Sequence, residues 1–308
     1  MNNQENTLIT VVAPTVRDGG GWVTRRLLRL NSIDNYVARG TSYINKLTYA
    51  IFGLLALPFL HPIFTRYIPI KILLNRDKDI YLNFSQTFGG SCFKKNCTLI
   101  CHDLQCHRPY LFIKWARWSE RYLLNKADKV QVLSLRDAKI VHRYYGVPYS
   151  NIHNIWKDIT FNLNQFQFNF DGPIECAVFL GSLDRFENHE GILWFVDKVL
   201  PFCPLLKVKI VGSVTSAAMI KHSQLEYLGF VEDINSVISE SDLMIAPMFS
   251  SAGIKIKVIE SIERKLPVLG TKQAYSGFFM RNSGFCSNEP RKWIDTINKG
   301  GLYIFNQD

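Results

Sequence analysis

Short apolar runs alternate with longer stretches in which apolar residues recur three and four apart, and the alternation continues along the chain. In the first half, Leu8 to Ala13, Asp79 to Phe84, Thr98 to Cys101, Lys129 to Leu133 and Asn151 to Trp156 read as buried strands. Helical spacing follows near Trp22, from Pro109 to Asn125 and from Leu135 to Tyr145. Pro109 suits a helix start, Ser134 a helix cap, and Gly146 with Pro148 a helix end. The second half repeats the scheme. Strands are expected at Glu175–Leu180, Lys207–Val211, Leu225–Phe230, Leu243–Ala246 and Val268–Leu269. Helices are expected at Asn188–Leu200, ended by Pro201, and at Ile254–Arg264, stopped by Pro267. Strands alternating with helices predict an α/β chain with parallel sheets and right-handed crossovers. Two stretches lack a firm period. Residues 31–75 are expected to hold a helix or two, and Thr160 to Phe170 reads as a linker.

Two turns have the makings of a phosphate site. Gly253 allows close backbone approach, and the helix expected at Ile254 would point its free N–H groups outward. Lys257 and Glu260 lie three apart, so they share one face of that helix. One can meet phosphate while the other accepts hydroxyl hydrogen bonds. Gly19, Gly20 and Gly21 make a second strand–turn–helix junction, with Arg25, Arg26 and Arg29 on the helix that follows. No Gly-x-Gly-x-x-Gly is present, so a dinucleotide fingerprint is a poor fit.

A length of 308 residues allows two domains, and 47% apolar content argues for globular structure. The net charge of +10 implies an anionic partner without choosing among phosphorylated ligand, membrane surface and nucleic acid. Nucleic acid is disfavoured, because no known binding module or basic tail is present. Seven cysteines and no signal peptide suggest free thiols and a cytoplasmic setting. Cys92, Cys97, Cys101 and Cys106, with His102 and His107, lack zinc spacing, so no metal site is expected. Tyr49 to Leu60 is too short to span a bilayer; a core helix and an interfacial helix both remain open. The 109–125 helix carries an aromatic stripe (Leu111, Trp115, Trp118, Tyr122) beside Lys114, Arg117 and Arg121. That pattern fits core plus solvated charge, or a face resting on anionic lipid headgroups. His102 follows a strand, where it could contact a ligand or be a satisfied structural residue.

The stretch Pro247…Ala252-Gly253-Ile254-Lys255-Ile256-Lys257-Val258-Ile259-Glu260…Pro267-Val268-Leu269-Gly270-Thr271…Gly277 resembles the donor-binding motif of group 1 GT-B glycosyltransferases (family 4-like). Phe179 to Leu183, Asn188, Trp194, Phe195, Leu200 and Pro201 are similar to the opening of that family's C-terminal domain. The resemblance implies two Rossmann-like domains facing a cleft, residues 1–168 on the acceptor side and 169–308 holding a nucleotide-sugar. It implies a metal-independent, retaining hexosyltransferase that needs no cofactor beyond a UDP- or GDP-sugar donor. Glu260 matches the ribose-binding acid, and Gly253, Ile254, Lys255 and Lys257 match the diphosphate turn. Gly20 and Gly21 match a loop facing the donor phosphates, and His102 a residue touching the donor sugar. Asp18 and Asp103 are candidate acceptor bases; His102, Asp103 and Lys257 form the catalytic set. Expected partners are a glycan or lipid-linked acceptor of bacterial surface polysaccharide (O-antigen, capsule or exopolysaccharide) and an anionic membrane contacted from the cytoplasmic side.

Two departures stand out. Ala252 occupies the place of a second acid, and Ser182 and Asn188 are nearest the places of an Arg–Lys pair. Arg185, Lys255 and Lys257 could supply the missing charge. The departures leave a second reading: a degenerate relative that binds nucleotide-sugar or glycan and scaffolds partner enzymes.

Overall fold

The structure, a computed structural model, describes residues 6–16, 19–33, 35–38, 51, 59–67, 79–92, 97–102, 104, 112–155, 165–249, 254–276 and 285–305. The chain forms two compact units, Met1–Phe161 and Asn162–Asp308.

The first unit is built on a six-stranded sheet: β1 (Thr7–Thr10), β2 (Asn35–Ala38), β3 (Ile80–Asn83), β4 (Cys97–Cys101), β5 (Lys129–Val132) and β6 (Ile152–Asn154). The order is β2-β1-β3-β4-β5-β6, and every pairing is parallel. Every residue of β1 and β4 is buried, which explains why both read as continuous apolar runs. Its helices are α1 (Gly19–Leu30), α2 (Ile113–Lys126) and α3 (Leu135–Arg143). Ser134 caps α3 as expected, accepting from Asp137 N at 3.0 Å. The chain steps from β1 outward to β2, then returns past β1 to β3. The crevice of this sheet therefore opens at the C-terminal ends of β1 and β3.

Two expectations change here. Gly20 and Gly21 lie in the first turn of α1, not in a loop before it. A Cβ on Gly21 would come within 1.9 Å of the Val16 carbonyl oxygen, so glycine lets the helix pack onto its own preceding turn. β2 lies within residues 31–75, where a helix or two but no strand was singled out; as an edge strand with its residues exposed or half-buried, it carries little apolar signal. The Tyr49–Leu60 run lies outside the described residues except Ile51, Phe59 and Leu60.

The second unit has a parallel five-stranded sheet of order β10-β9-β8-β11-β12. The strands are β8 (Cys176–Leu180), β9 (Lys207–Val211), β10 (Leu225–Gly229), β11 (Leu243–Ala246) and β12 (Val268–Gly270). Helices are α4 (Phe186–Lys198), α5 (Ile234–Ser239), α6 (Ile256–Glu263) and α7 (Pro290–Lys299). The stretch expected as a linker ends instead in β7 (Phe166–Phe170), which pairs antiparallel with β13 (Gly301–Phe305). Phe166 meets Tyr303 and Phe305, and Phe170 meets Phe285. The partner of β7 is distant in sequence, so no local period announces this strand.

Candidate functional site

In the second sheet the chain runs from β8 outward to β9 and β10, then crosses back to β11 and β12. The crevice between β8 and β11 is thus the place where a parallel sheet receives a ligand. α4 starts after β8 and α6 after β11, so two helix N-termini flank this point. Glycine makes the crest low. Gly181 has φ 141°, and a Cβ there would fall 2.8 Å from Asn188 Nδ2 and 2.9 Å from Lys257 Nζ. A Cβ on Gly212 would meet the Gly181 carbonyl carbon at 2.5 Å.

Lys257 reaches this crest from α6. Its ammonium donates to Asn188 Oδ1 at 2.9 Å and sits 4.2 Å from the centre of the Phe179 ring. Asn188 is buried and fixed by its own donation to Ser182 O at 2.7 Å. Burial pushes the Lys257 ammonium down to about 7; Arg185 and Lys255 push the same way, and Glu187 opposes them. Among the described residues Lys257 has no carboxylate in ion-pair contact. Three cations therefore converge near two helix N-termini, an arrangement that an anion would relieve.

The other described donor-site candidates of this unit lie on or beside α4 and α6. α6 begins at Ile256 rather than Ile254, with Lys255 as N-cap and no side-chain cap bond. Glu260 lies one turn beyond Lys257 on the same helix and is half-buried. Arg185 is the exposed N-cap of α4. Ile254 is described in the approach to α6; Gly253 and Ala252 lie outside the described residues. Ser182, nearest the place of a family cation, belongs instead to a hydroxyl cluster. Ser213 Oγ donates to Ser182 Oγ at 2.7 Å, and Asp184 accepts from Thr215 N at 2.8 Å. That backbone bond leads the contacts that hold the Asp184 carboxyl below its usual range.

The first unit carries a separate polar group at its own crevice. Asn83, at the end of β3, donates to Thr10 Oγ1 at 3.0 Å and to Thr24 Oγ1 at 3.4 Å. Each threonine spends its own proton on a carbonyl, Thr10 on Val12 O at 3.0 Å and Thr24 on Gly20 O at 2.9 Å. Both hydroxyls must therefore accept from Asn83, which turns the amide oxygen toward His102. His102 Nε2 lies 2.5 Å from that oxygen. In the neutral imidazole the proton thus sits on Nε2, and Nδ1 keeps the lone pair. The ring stacks on Phe84 at 4.0 Å, and Phe84 itself holds the left-handed φ of 71°. Asp18 and Asp103 lie outside the described residues. Asn83, Thr10 and Thr24 were not singled out from the sequence; the readable signal was a polar side chain closing an apolar strand. No group of three or more His, Cys, Asp or Glu able to hold a metal occurs among the described residues.

Residues 175–299 match the family described as glycosyl transferases group 1. The chain has the GT-B fold, and its residues 175–299 are similar to the group 1 glycosyltransferase domain. The matched stretch contains β8 to α7, and with them Arg185, Asn188, Lys257 and Glu260. Among solved structures, a glycosyltransferase from Rickettsia africae is similar over 96% of this chain and 87% of its own (TM-score 0.58, 13% identity). HepE of Anabaena, in complex with UDP and glucose, is similar over 96% of this chain and 89% of its own (TM-score 0.57, 12% identity). An α,α-trehalose 6-phosphate synthase from Burkholderia multivorans is similar over 96% and 90% (TM-score 0.58, 8% identity). At such identities the likeness is one of fold. No curated protein sequence matches the chain.

Proposed function

We propose that this protein transfers a hexose from a UDP- or GDP-sugar to a glycan or lipid-linked acceptor, in the assembly of a bacterial surface polysaccharide. The observation that carries this reading is the ammonium of the half-buried Lys257: packed against Phe179 and Asn188, beside Arg185 and Lys255, and in contact with no carboxylate among the described residues. A nucleoside diphosphate supplies the anion such a site lacks. As the bond from the sugar's anomeric carbon to phosphate oxygen breaks, its electron pair goes to the diphosphate. Lys257, Arg185, Lys255 and the first N–H groups of α6 stabilise that charge without a metal. In this reading Glu260, one turn along α6, accepts hydrogen bonds from the ribose hydroxyls. The acceptor hydroxyl forms the new bond to carbon and gives up its proton to a base, for which Asp18 and Asp103 are the candidates. The retaining outcome and the peripheral place on the inner face of the plasma membrane belong to the same reading.

Titration calorimetry of the full chain with UDP and with GDP tests the donor half. Glu260→Ala should weaken the preferred nucleotide by about 10- to 100-fold, the loss of one or two charged hydrogen bonds. Equal binding by wild type and variant would move the ribose elsewhere. If a folded sample bound neither nucleotide, the donor reading would fall.

A further inference from the structure

The positive charge of the chain is not shared between its two units. Residues 1–161 hold 22 Lys and Arg against 10 Asp and Glu, whereas residues 162–308 hold 14 against 16. The net +10 is thus a property of the first unit, and much of it lies on one face.

β4, α2, β5, α3 and β6 follow one another, with each strand stepping the same way across the sheet. Right-handed crossovers then place α2 and α3 side by side on one face. Arg121 joins them, donating to Tyr144 O at 2.6 Å, as does Asn125 by donating to Tyr145 O at 2.9 Å. The exposed cations of the two helices are Lys114, Arg121, Lys126, Arg136, Lys139 and Arg143. Their only acids, Glu120 and Asp137, are buried: Glu120 accepts from Tyr145 OH and Asp137 from Ser134 Oγ. Asp128, in the turn after α2, is the one exposed acid beside them. Large aromatic side chains stand among these cations. Phe112 is 68% exposed, Trp118 53%, Tyr122 44% and Tyr144 43%. Trp118 lies nearly parallel to Tyr122, and Lys126 sits over the Tyr122 ring.

We infer that the α2–α3 face docks the protein on an anionic phospholipid surface. Cations meet the headgroups, while Trp118, Tyr122 and Phe112 enter the interfacial layer that aromatic rings favour. The inference rests on the membrane-peripheral part of the proposed function and names the surface that performs it. It is independent of the donor chemistry, because no residue of this face belongs to the Lys257 site. No helix among the described residues is long and apolar enough to cross a membrane.

The test is co-sedimentation of the full chain with phosphatidylcholine vesicles, with and without phosphatidylglycerol, read beside UDP titration of the same samples. Wild type should sediment only with the anionic vesicles, and added salt should release it. The triple variant Lys114→Gln, Lys126→Gln, Lys139→Gln should lose about fivefold in partitioning per charge removed. Trp118→Ser should lower partitioning with the charge unchanged. Lys198→Gln, Lys292→Gln, Lys299→Gln, on the other unit, should match wild type. UDP binding should be unaltered in all three, so loss of docking and loss of the donor site are separately visible. Failure of wild type to bind anionic vesicles would overturn the inference, as would equal losses in the two triple variants. Salt-sensitive retention on RNA or DNA without vesicle binding would assign the face to nucleic acid instead.

Discussion

Lys257 is the residue on which the proposed chemistry turns, and its environment sets a pH dependence whose sign can be derived. An ordinary lysine holds its proton to about 10.4, whereas here burial brings the group to about 7. Between those values the unfolded chain binds a proton that the folded, unliganded chain does not. The contribution of this group to stability therefore rises with pH across that window and is at its poorest below it. A bound diphosphate reverses the preference by favouring the ammonium. Nucleotide binding should then take up a proton above pH 7, and affinity should fall by up to about tenfold per pH unit between about pH 7 and 9. Calorimetry in buffers of differing ionisation enthalpy reads the proton directly. In Lys257→Met both effects should vanish. An affinity that ignores pH in the wild type would take Lys257 out of the site.

At the scale of elements, the site depends on how closely α4 approaches the end of β11. A Cβ on Gly191 would lie 1.9 Å from the carbonyl oxygen of Pro247, a backbone atom with no room to yield. Gly191→Ala should therefore push the helix off the strand and cost about 2–4 kcal/mol, seen as a lower urea midpoint. A melt matching wild type would show that α4 sits farther out. The sequence announces many of these elements, because buried parallel strands are apolar throughout and helix ends carry Ser134, Gly146 and Pro201. It mislays elements whose reasons are not local. β2 is an edge strand, and β7 is explained only by β13 far along the chain. The helix at Gly253 was expected two residues early, since no side chain caps α6. In the candidate site, Lys257 and Glu260 could be read from helical spacing, and Lys255 from the resemblance to the family motif. The part of Asn188 in holding Lys257, and of Asn83 in turning His102, could not, since each joins side chains from different elements.

For the molecule as a whole, the extent of the second unit is the point at issue. The family match begins at residue 175, yet the unit includes β7, whose Phe166 and Phe170 pack on Phe285, Tyr303 and Phe305. A fragment of residues 162–308 should fold and bind UDP within about threefold of the full chain, since every group in the proposed diphosphate site is its own. A fragment of residues 175–308 lacks the partner of β13 and bares those rings. It should melt lower by several degrees, as a loss of about 1–2 kcal/mol implies. Equal melting of the two fragments would make β7 an ornament of the fold.

The glycine crest has a consequence for how such a protein can change over generations. Asn188 on α4 and Lys257 on α6 meet at one spot beneath Gly181, so the ammonium can be furnished from either helix. Exchange of the two side chains moves the charge without moving the place where it acts. Gly181 and Gly212 have no such freedom, for a Cβ there would run into Asn188 and Lys257 or into the Gly181 backbone. Descendants can therefore trade the origin of the cation while the two glycines stay put. A comparison that looks for lysine at a fixed position would count as lost a function that has merely changed helices.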